Sequence, residues 1–527
     1  MVILTNVKLF NPETLQFEQW KEISIEDGLI KSMRQEMTEN DTNAIDCKGL
    51  FVLPGLIDAH IHFFQSGGLY TRPDVIDLRN LKTYQDEQRW IRDNLDDTFK
   101  RYLASGVTAV VDCGGPFWNF EVRDTSMQTN APLTAVTGPL ISTVSRDQLD
   151  LGDPPIIQTE TPEEAIDLVT RIASHIPVFI KIWFIYRPEK FDEDADIVKT
   201  TIQEAHRLGI RVAVHATELQ TAKVAVRQGA DILVHSVFDT LVDDEFIEMM
   251  VKNKVIYIPT LIVRTGYRDV LSKTPMISLF EERWGNPDVI SSWFDMFDQD
   301  AVERAPISSI GQQNLERLAQ AGAIIATGTD AGNIGTLHGP SIHREMEEMV
   351  RAGMTPAQVL QATTLNAAKV FGDPSLGKII PGSPANLLIL SRNPLNDISA
   401  TTSIKYVISK GTLYRPEQLI HPNVPEWVID QFYIAINSPG LVDLKDVLHP
   451  EITLYKMNSD KILAQGSSEV SDVLHDIFGK NGRVTLHSRI PLKNMIMDKV
   501  YPITNPMTPM SIYYEIRLLR ISAIWIQ

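Results

Sequence analysis

Cysteine is nearly absent: the 527 residues hold two, Cys47 and Cys113. Two thiols make no disulfide framework, and nothing near either has the spacing of a thiolate zinc site. Long apolar runs are also missing, so no segment reads as a bilayer span. The N-terminal stretch MVILTNVKLFNPETLQFEQW has no basic region leading into an apolar one. It reads as a strand, a turn at Asn11-Pro12 and another strand, and cytoplasmic residence is the resulting expectation. Basic residues are outnumbered, 49 against 67 acidic, for a formal net charge of −18. That balance argues against nucleic acid or an anionic membrane as the main partner. What the chain has in quantity is apolar material, 43% of its residues, ample for a large core and, at this length, for more than one domain.

Residues 1–55 alternate in short segments, VILTNVKLF, EQWKEISIED, GLIKSMRQ and AIDCKGLFVLP, the pattern of small antiparallel strands. Across 56–372 the pattern becomes a strand followed by a helix, repeated. VTAVVDCGG, IPVFIKIWF, IRVAVHA, DILVHSV, KVIYIPTL and AIIATGTDAG are the strands. Thr161-Pro162-Glu163-Glu164 supplies one intervening helix with a cap, a first-turn proline and a capping-box glutamate. Continuous apolar strands alternating with helices imply a parallel sheet covered on its outer side. Seven or eight such units fit a closed α/β barrel of the (β/α)8 TIM type, usually about 250 residues, better than an open sheet. Over 373–415 short strands return, and the simplest packing joins them to 1–55 as a composite β-sandwich beside the barrel. RPEQLIHPNVP reads as a linker, and 424–527 as a separate α+β domain.

Barrel enzymes place reactive groups at the C-terminal ends of their strands. Six metal-capable residues occupy such positions here. His60 and His62 end GLIDAHIH, where the period of two in a pleated strand sends both rings to one side. Lys181 is in VFIKIWF, His215 ends IRVAVHATE, His235 ends ADILVHSVF, and Asp330 ends AIIATGTDAG. Taken singly, a histidine after a strand is more often a hydrogen-bonded core residue than a ligand. Lys181 is odder, because a lysine among Val178, Phe179, Ile180, Ile182 and Trp183 needs a partner or a depressed pKa. Five strand ends carrying such groups in one chain make a strong coincidence.

With these residues in place, PGLIDAHIH, the mid-barrel lysine, VHA, VHS and GTDAG resemble the amidohydrolase superfamily. The finer resemblance is to its imidazolonepropionase-like and prolidase-like members. HGPSIHREMEEMVRAGMTPAQVLQATTLNAAKVFG and LGKIIPGSPANLLILSRNPLNDI resemble the same group's closing helices and returning strands, so the likeness runs over about residues 1–415. One departure is Asn386, where members commonly show Asp; it lies in the returning strand, away from the ligands.

The resemblance implies two divalent ions, zinc first among the candidates. His60 and His62 with Asp330 would hold the more buried ion, and His215 and His235 the more exposed one. Lys181 would be carboxylated and bridge the two. Such a centre makes a bridging hydroxide available at neutral pH. Asp330 would carry the proton from attacking water to the leaving nitrogen, with His235 or His215 polarising the carbonyl. Asp58, Thr327 and Thr329 are candidates for support behind the ligands. The implied activity is hydrolysis of amide-like C–N bonds in an N-acyl amino acid, dipeptide or cyclic amide. The alternatives are a lactonase or esterase using the same centre, and a metal-bound but idle scaffold.

Specificity in a barrel resides in its loops. Tyr186 and Arg187, just past Lys181, are candidates for a substrate carboxylate. Arg264, Tyr267 and Arg268 begin a loop that reads as a lid through ERWGNPDVISSWFDMFDQD, and His338 follows Asp330 as a further polar candidate for the pocket. The C-terminal block, from FYIAINSPGLVDLKDVLHPEITLY onward, resembles the SnoaL-like group of the NTF2-like fold, which implies an accessory-binding or oligomerisation role. A small-molecule substrate and a homo-oligomer, formed through that domain, complete the expectations.

Overall fold

The structure, a computed structural model, describes residues 2–36, 44–128, 130–272, 274–295, 309–423, 425–437, 443–456, 461–478, 484–492, 495–502, 510–517 and 520–526. The chain divides into two compact units, Met1–Asn286 with Phe297–His421, and Pro287–Met296 with Pro422–Gln527. Among the described residues no helix is long and apolar enough to cross a membrane.

The first unit holds eight parallel barrel strands: Leu56–Ile61, Val107–Asp112, Leu133–Val136, Ile180–Trp183, Val212–His215, Ile232–Val234, Ile256–Ile258 and Ile324–Ile325. Ladders join the first three and, separately, the last five. Backbone hydrogen bonds make the two remaining joins. Val178 N donates to Val136 O at 2.9 Å, and Asp330 N donates to His60 O at 2.8 Å. Alternate residues of each strand enter different cores, as the pleat requires. Phe179, Ala213, Ile232, Val234, Ile256 and Ile258 share one apolar cluster. Ile180, Ile182, Val212, Val214, Leu233 and Tyr257 pack in another with residues of the surrounding helices. Gly328 explains how the eighth strand's extension comes so close to the first, since a Cβ there would lie 2.6 Å from the Cβ of His60.

The helix expected after Thr161 spans Pro162–Ala173, with Thr161 Oγ1 accepting from Glu164 N. The Glu164 carboxylate accepts from Glu160 N rather than from the cap residue, so the capping box is displaced by one position.

Both flanks of the barrel enter one hydrogen-bonded sheet. Phe51–Pro54 is its seam, parallel to Val2–Asn11 and antiparallel to Leu387–Leu390. The sheet continues through Ile404–Ser409 and Thr412–Tyr414 on one side and Gln16–Glu26 and Leu29–Arg34 on the other. Leu387 and Ile389 join the sheet's own cluster with Leu4, Val7, Ile23 and Val52. Leu388 and Leu390, on the opposite face, belong to the cluster of the barrel helices. At the Asn11-Pro12 turn, Asn11 Oδ1 accepts from Glu13 N at 2.8 Å. Asn386 accepts from Lys410 N at 2.8 Å, a turn-holding role.

In the second unit, helices Pro425–Asn437 and Ser467–Phe478 accompany a six-stranded sheet. All its pairings are antiparallel except that of Leu448–Lys456 with Arg520–Ile526. The segment read as a lid divides differently from expectation. Leu261–Leu271 and Leu279–Trp284 are helices of the first unit, Pro287–Met296 belongs to the second, and residues 296–308 lie outside the described residues.

Candidate metal centre

The strand period positions part of this site and backbone turns position the rest. Lys181 and His215 each follow by two residues a side chain of the barrel interior, Phe179 and Ala213, so the pleat directs them inward. His235 and Asp330 lie just beyond their strands, with φ of +74° and +58°, and Thr260 beyond the seventh strand has φ of +44°. Non-glycine residues in this left-handed region are strained, and such residues gather at functional sites.

His60, His62 and Asp330 offer ligand atoms that all lie within 4.8 Å of one another. His60 Nε2 is 3.2 Å from His62 Nε2. Asp330 Oδ1 is 3.4 Å from the first and 3.1 Å from the second. His62 Nδ1 faces the Gly114 carbonyl at 2.7 Å, so it carries the proton and leaves Nε2 with its lone pair toward the centre. The His235 ring lies 5.0 Å from that of His60 and 4.4 Å from that of His215, centroid to centroid. Its Nδ1 is 2.8 Å from Thr260 Oγ1.

Burial first, then the nearby Lys181 charge, holds His60 and His215 well below the usual imidazole pKa; for His235 the order is burial, His215 and Lys181. These imidazoles are therefore neutral donors. Burial likewise lowers Lys181 to about 8, against the opposing pull of Cys113 and Asp330. Lys181 Nζ has no hydrogen-bond partner among the described residues. A convergent set of neutral imidazole nitrogens and a carboxylate is chemically suited to a divalent cation, whereas the unpartnered Lys181 ammonium would be a ligand only once its charge is removed. His60, His62 and Asp330 form the metal site.

Behind them are carboxylates with their own partners. Asp58 accepts from Thr329 Oγ1 at 2.6 Å and Thr329 N at 3.0 Å, which ties the first strand to the eighth. Asp112 accepts from Asn119 Nδ2 at 2.6 Å and Gly114 N at 3.1 Å, fixing the carbonyl that orients His62. Burial pushes both carboxyls up to about 7 against these hydrogen bonds. Thr327 Oγ1 instead pairs with Thr363 Oγ1 at 2.7 Å, a packing contact with the closing helices.

The site opens into a cavity of about 490 Å³, the size of a small-molecule pocket. All six strand-end residues line it, as do Arg264, Tyr267 and Arg268. The remaining candidates lie elsewhere. Arg187 forms a bidentate pair with Asp194 at 2.5 and 2.9 Å, and Tyr186 packs edge-on against Phe191, neither lining the cavity. After Trp183 the chain turns toward the helix Phe191–Arg207, and proximity in sequence to Lys181 is lost. His338 is a buried structural residue behind the site. It joins Gln65 O at 2.7 Å and the Tyr102 hydroxyl at 2.8 Å, and stacks on Phe63. Sequence reasoning also missed Arg72, Trp183, Phe64 and Asn333 on the cavity wall. Only Trp183, two residues past Lys181 in one strand, carried a usable signal.

The model of the amidohydrolase family matches residues 51–414, most of the first unit, and the chain belongs to this family. Among curated proteins it is 25% identical over 226 residues to an ochratoxinase of Aspergillus niger, covering 41% of this chain and 41% of that protein. The chain thus spans about two fifths of the length of that relative. Among solved structures, it is similar in fold to a Xaa-Pro dipeptidase with bound methionine in the active site. That match has a TM-score of 0.60 and 23% identity, over 78% of this chain and 99% of that one. The A. niger ochratoxinase structure gives a TM-score of 0.60 at 19% identity, over 80% of this chain and 99% of that one.

Proposed function

We propose that the protein hydrolyses amide C–N bonds in small molecules, with dipeptides and N-acyl amino acids as the first candidates. The observation that carries this reading is the buried set of His60, His62 and Asp330 on the wall of a cavity open to solvent. The family, and similarity to a Xaa-Pro dipeptidase and an ochratoxinase, support it. His60, His62 and Asp330 would hold one divalent ion and His215 and His235 a second, zinc being suited to both sets. Carboxylation of Lys181 would replace a buried cation with an anionic oxygen donor between them. When bound, such ions acidify water and polarise a carbonyl.

The chain's own groups supply the rest. A carboxylate oxygen of Asp330 accepts the proton of the attacking water and returns it to the leaving nitrogen. His235, braced by Thr260, and His215 orient the carbonyl of the substrate. Trp183, Phe64 and Phe238 exclude water around the acyl group. Arg264 stacks its guanidinium 3.7 Å over Phe238 and offers a cation to an anionic substrate. The C-terminal unit is read as an NTF2-like accessory module through which copies of the chain associate.

A panel of dipeptides, N-acyl amino acids, cyclic amides and lactones tests the reading. Turnover of the nitrogen-linked members is expected, with Asp330→Asn lowering kcat by about 100- to 10,000-fold. Turnover of lactones alone would reassign the centre to C–O bonds. No turnover by a cation-loaded chain would make it an idle scaffold.

A further inference from the structure

Asp330 is held by more than its ligand neighbours. Asn333 Nδ2 donates to Asp330 Oδ1 at 2.7 Å and to the Asp330 backbone carbonyl at 3.2 Å. On its other side, Asn333 Oδ1 accepts from Arg72 Nη1 at 2.7 Å and from the Tyr267 hydroxyl at 2.6 Å. The amide has only one chemically sensible orientation. A guanidinium donates and never accepts, so the oxygen must face Arg72 and the NH2 must face the carboxylate. Arg72 is itself immobilised by a bidentate pair with Asp74, both distances 2.7 Å, and also donates to the Tyr267 hydroxyl at 3.1 Å. The bracket therefore ties together three stretches far apart in sequence: the loop after the first strand, the helix Leu261–Leu271 after the seventh, and the turn after the eighth.

We infer that Asn333 is a positioning residue that divides the labour of the two Asp330 oxygens. With Oδ1 held by Asn333, 3.1 Å from His62 and 3.4 Å from His60, that oxygen is committed to the ligand cluster. Oδ2 is left facing His235, 3.8 Å from its Nδ1, and is the oxygen free to exchange a proton with substrate. Asn333 Nδ2 also donates to the backbone carbonyl of Asp330, a residue in a left-handed conformation, and so links the carboxylate to its own turn. Tyr267 is thereby reassigned. Its hydroxyl is spent on Asn333 and Arg72, so it serves Asp330 rather than gripping substrate.

The inference rests on Asp330 as the proton carrier, and its test separates the two. Asn333→Leu, of nearly the same size, and Asn333→Ala are compared with the unaltered chain in the full-length protein, using both kinetics and the visible absorption of the cobalt-loaded form. The expected result is a kcat reduced about 10- to 100-fold, KM within about twofold, and a changed cobalt spectrum as Oδ1 shifts. Tyr267→Phe removes only the hydroxyl and is expected to lower kcat roughly 2- to 10-fold with KM unchanged. An unaltered cobalt spectrum and kcat in the Asn333 variants would overturn the inference, as would a Tyr267→Phe variant changed in KM alone. If the unaltered chain binds cobalt yet hydrolyses nothing in the panel, the proposed function fails, while the spectra still decide whether Asn333 positions Asp330.

Discussion

The sheet formed by the two flanks of the barrel and the mouth of the barrel both bury side chains, by opposite chemistry. In the sheet, Leu4, Val7, Ile23, Val52, Leu387 and Ile389 are each 0% exposed, and burial is what their side chains favour. At the mouth, Asp58, Asp112, His60 and Glu345 are also 0% exposed and Lys181 is 1% exposed, although burying such groups costs free energy. The sheet's burial is explained by stability. At the mouth part of the cost is offset by the hydrogen bonds that Asp58, Asp112 and Glu345 accept, and the rest is explained by the work of the site, which holds donors in one place and strains His235, Thr260 and Asp330 to do so.

Lys181→Met separates the two most sharply. Loss of the amine should lower kcat at least about 100-fold, the scale set by losing a group of the catalytic apparatus. The cation-free protein should nevertheless keep or raise its melting temperature, because an apolar side chain replaces a buried one that favours water. A fall of several degrees would mean that the lysine is a structural partner. Ile389→Ala is the mirror image. It should cost about 2–5 kcal/mol of stability and leave bound cation per folded chain unchanged, as urea unfolding and elemental analysis would report.

The last contrast is a pH dependence at Glu345, whose carboxyl group accepts from Leu261 N and Ile262 N, both at 2.9 Å, at the start of the cavity helix. Burial raises this carboxyl from 4.5 to about 8, against those two bonds. The folded state thus keeps a proton that the unfolded chain releases. The resulting stabilisation is complete below about pH 4.5 and lost as pH rises through about 8. Glu345→Gln does not titrate, so its melting temperature should gain on that of the unaltered chain between pH 5 and pH 9, scales set by that same shift. A constant difference across that range would remove the shift.

The same contrast explains which parts of the molecule were legible in sequence. Strand alternation with helices exposed the barrel, and the ends of its apolar strands picked out Lys181 and His215. His60 and His62 were legible from their spacing within one strand. The bracket on Asp330 was not, because Arg72 and Asn333 are 261 positions apart and Arg72 and Tyr267 are 195 apart, and no local periodicity links loops. Adjacency misled where it was the sole guide. Arg187 follows Lys181 closely, yet its guanidinium is taken by Asp194 on the next helix. His338 follows Asp330, yet it turns back to Gln65 and Tyr102. In both, the reading as an ordinary satisfied side chain was the better one, because a polar group near a site still has to meet its own hydrogen-bond requirement first.

The central claim is that the strand-end residues form a cation-dependent hydrolytic centre. It is tested most directly by the cation content of the purified, dialysed chain, compared with Lys181→Ala. The account predicts close to two divalent ions per chain, as its two ligand sets require, and a clear loss in the variant. A chain with no affinity for divalent cations, or a variant with undiminished content and activity, would contradict it.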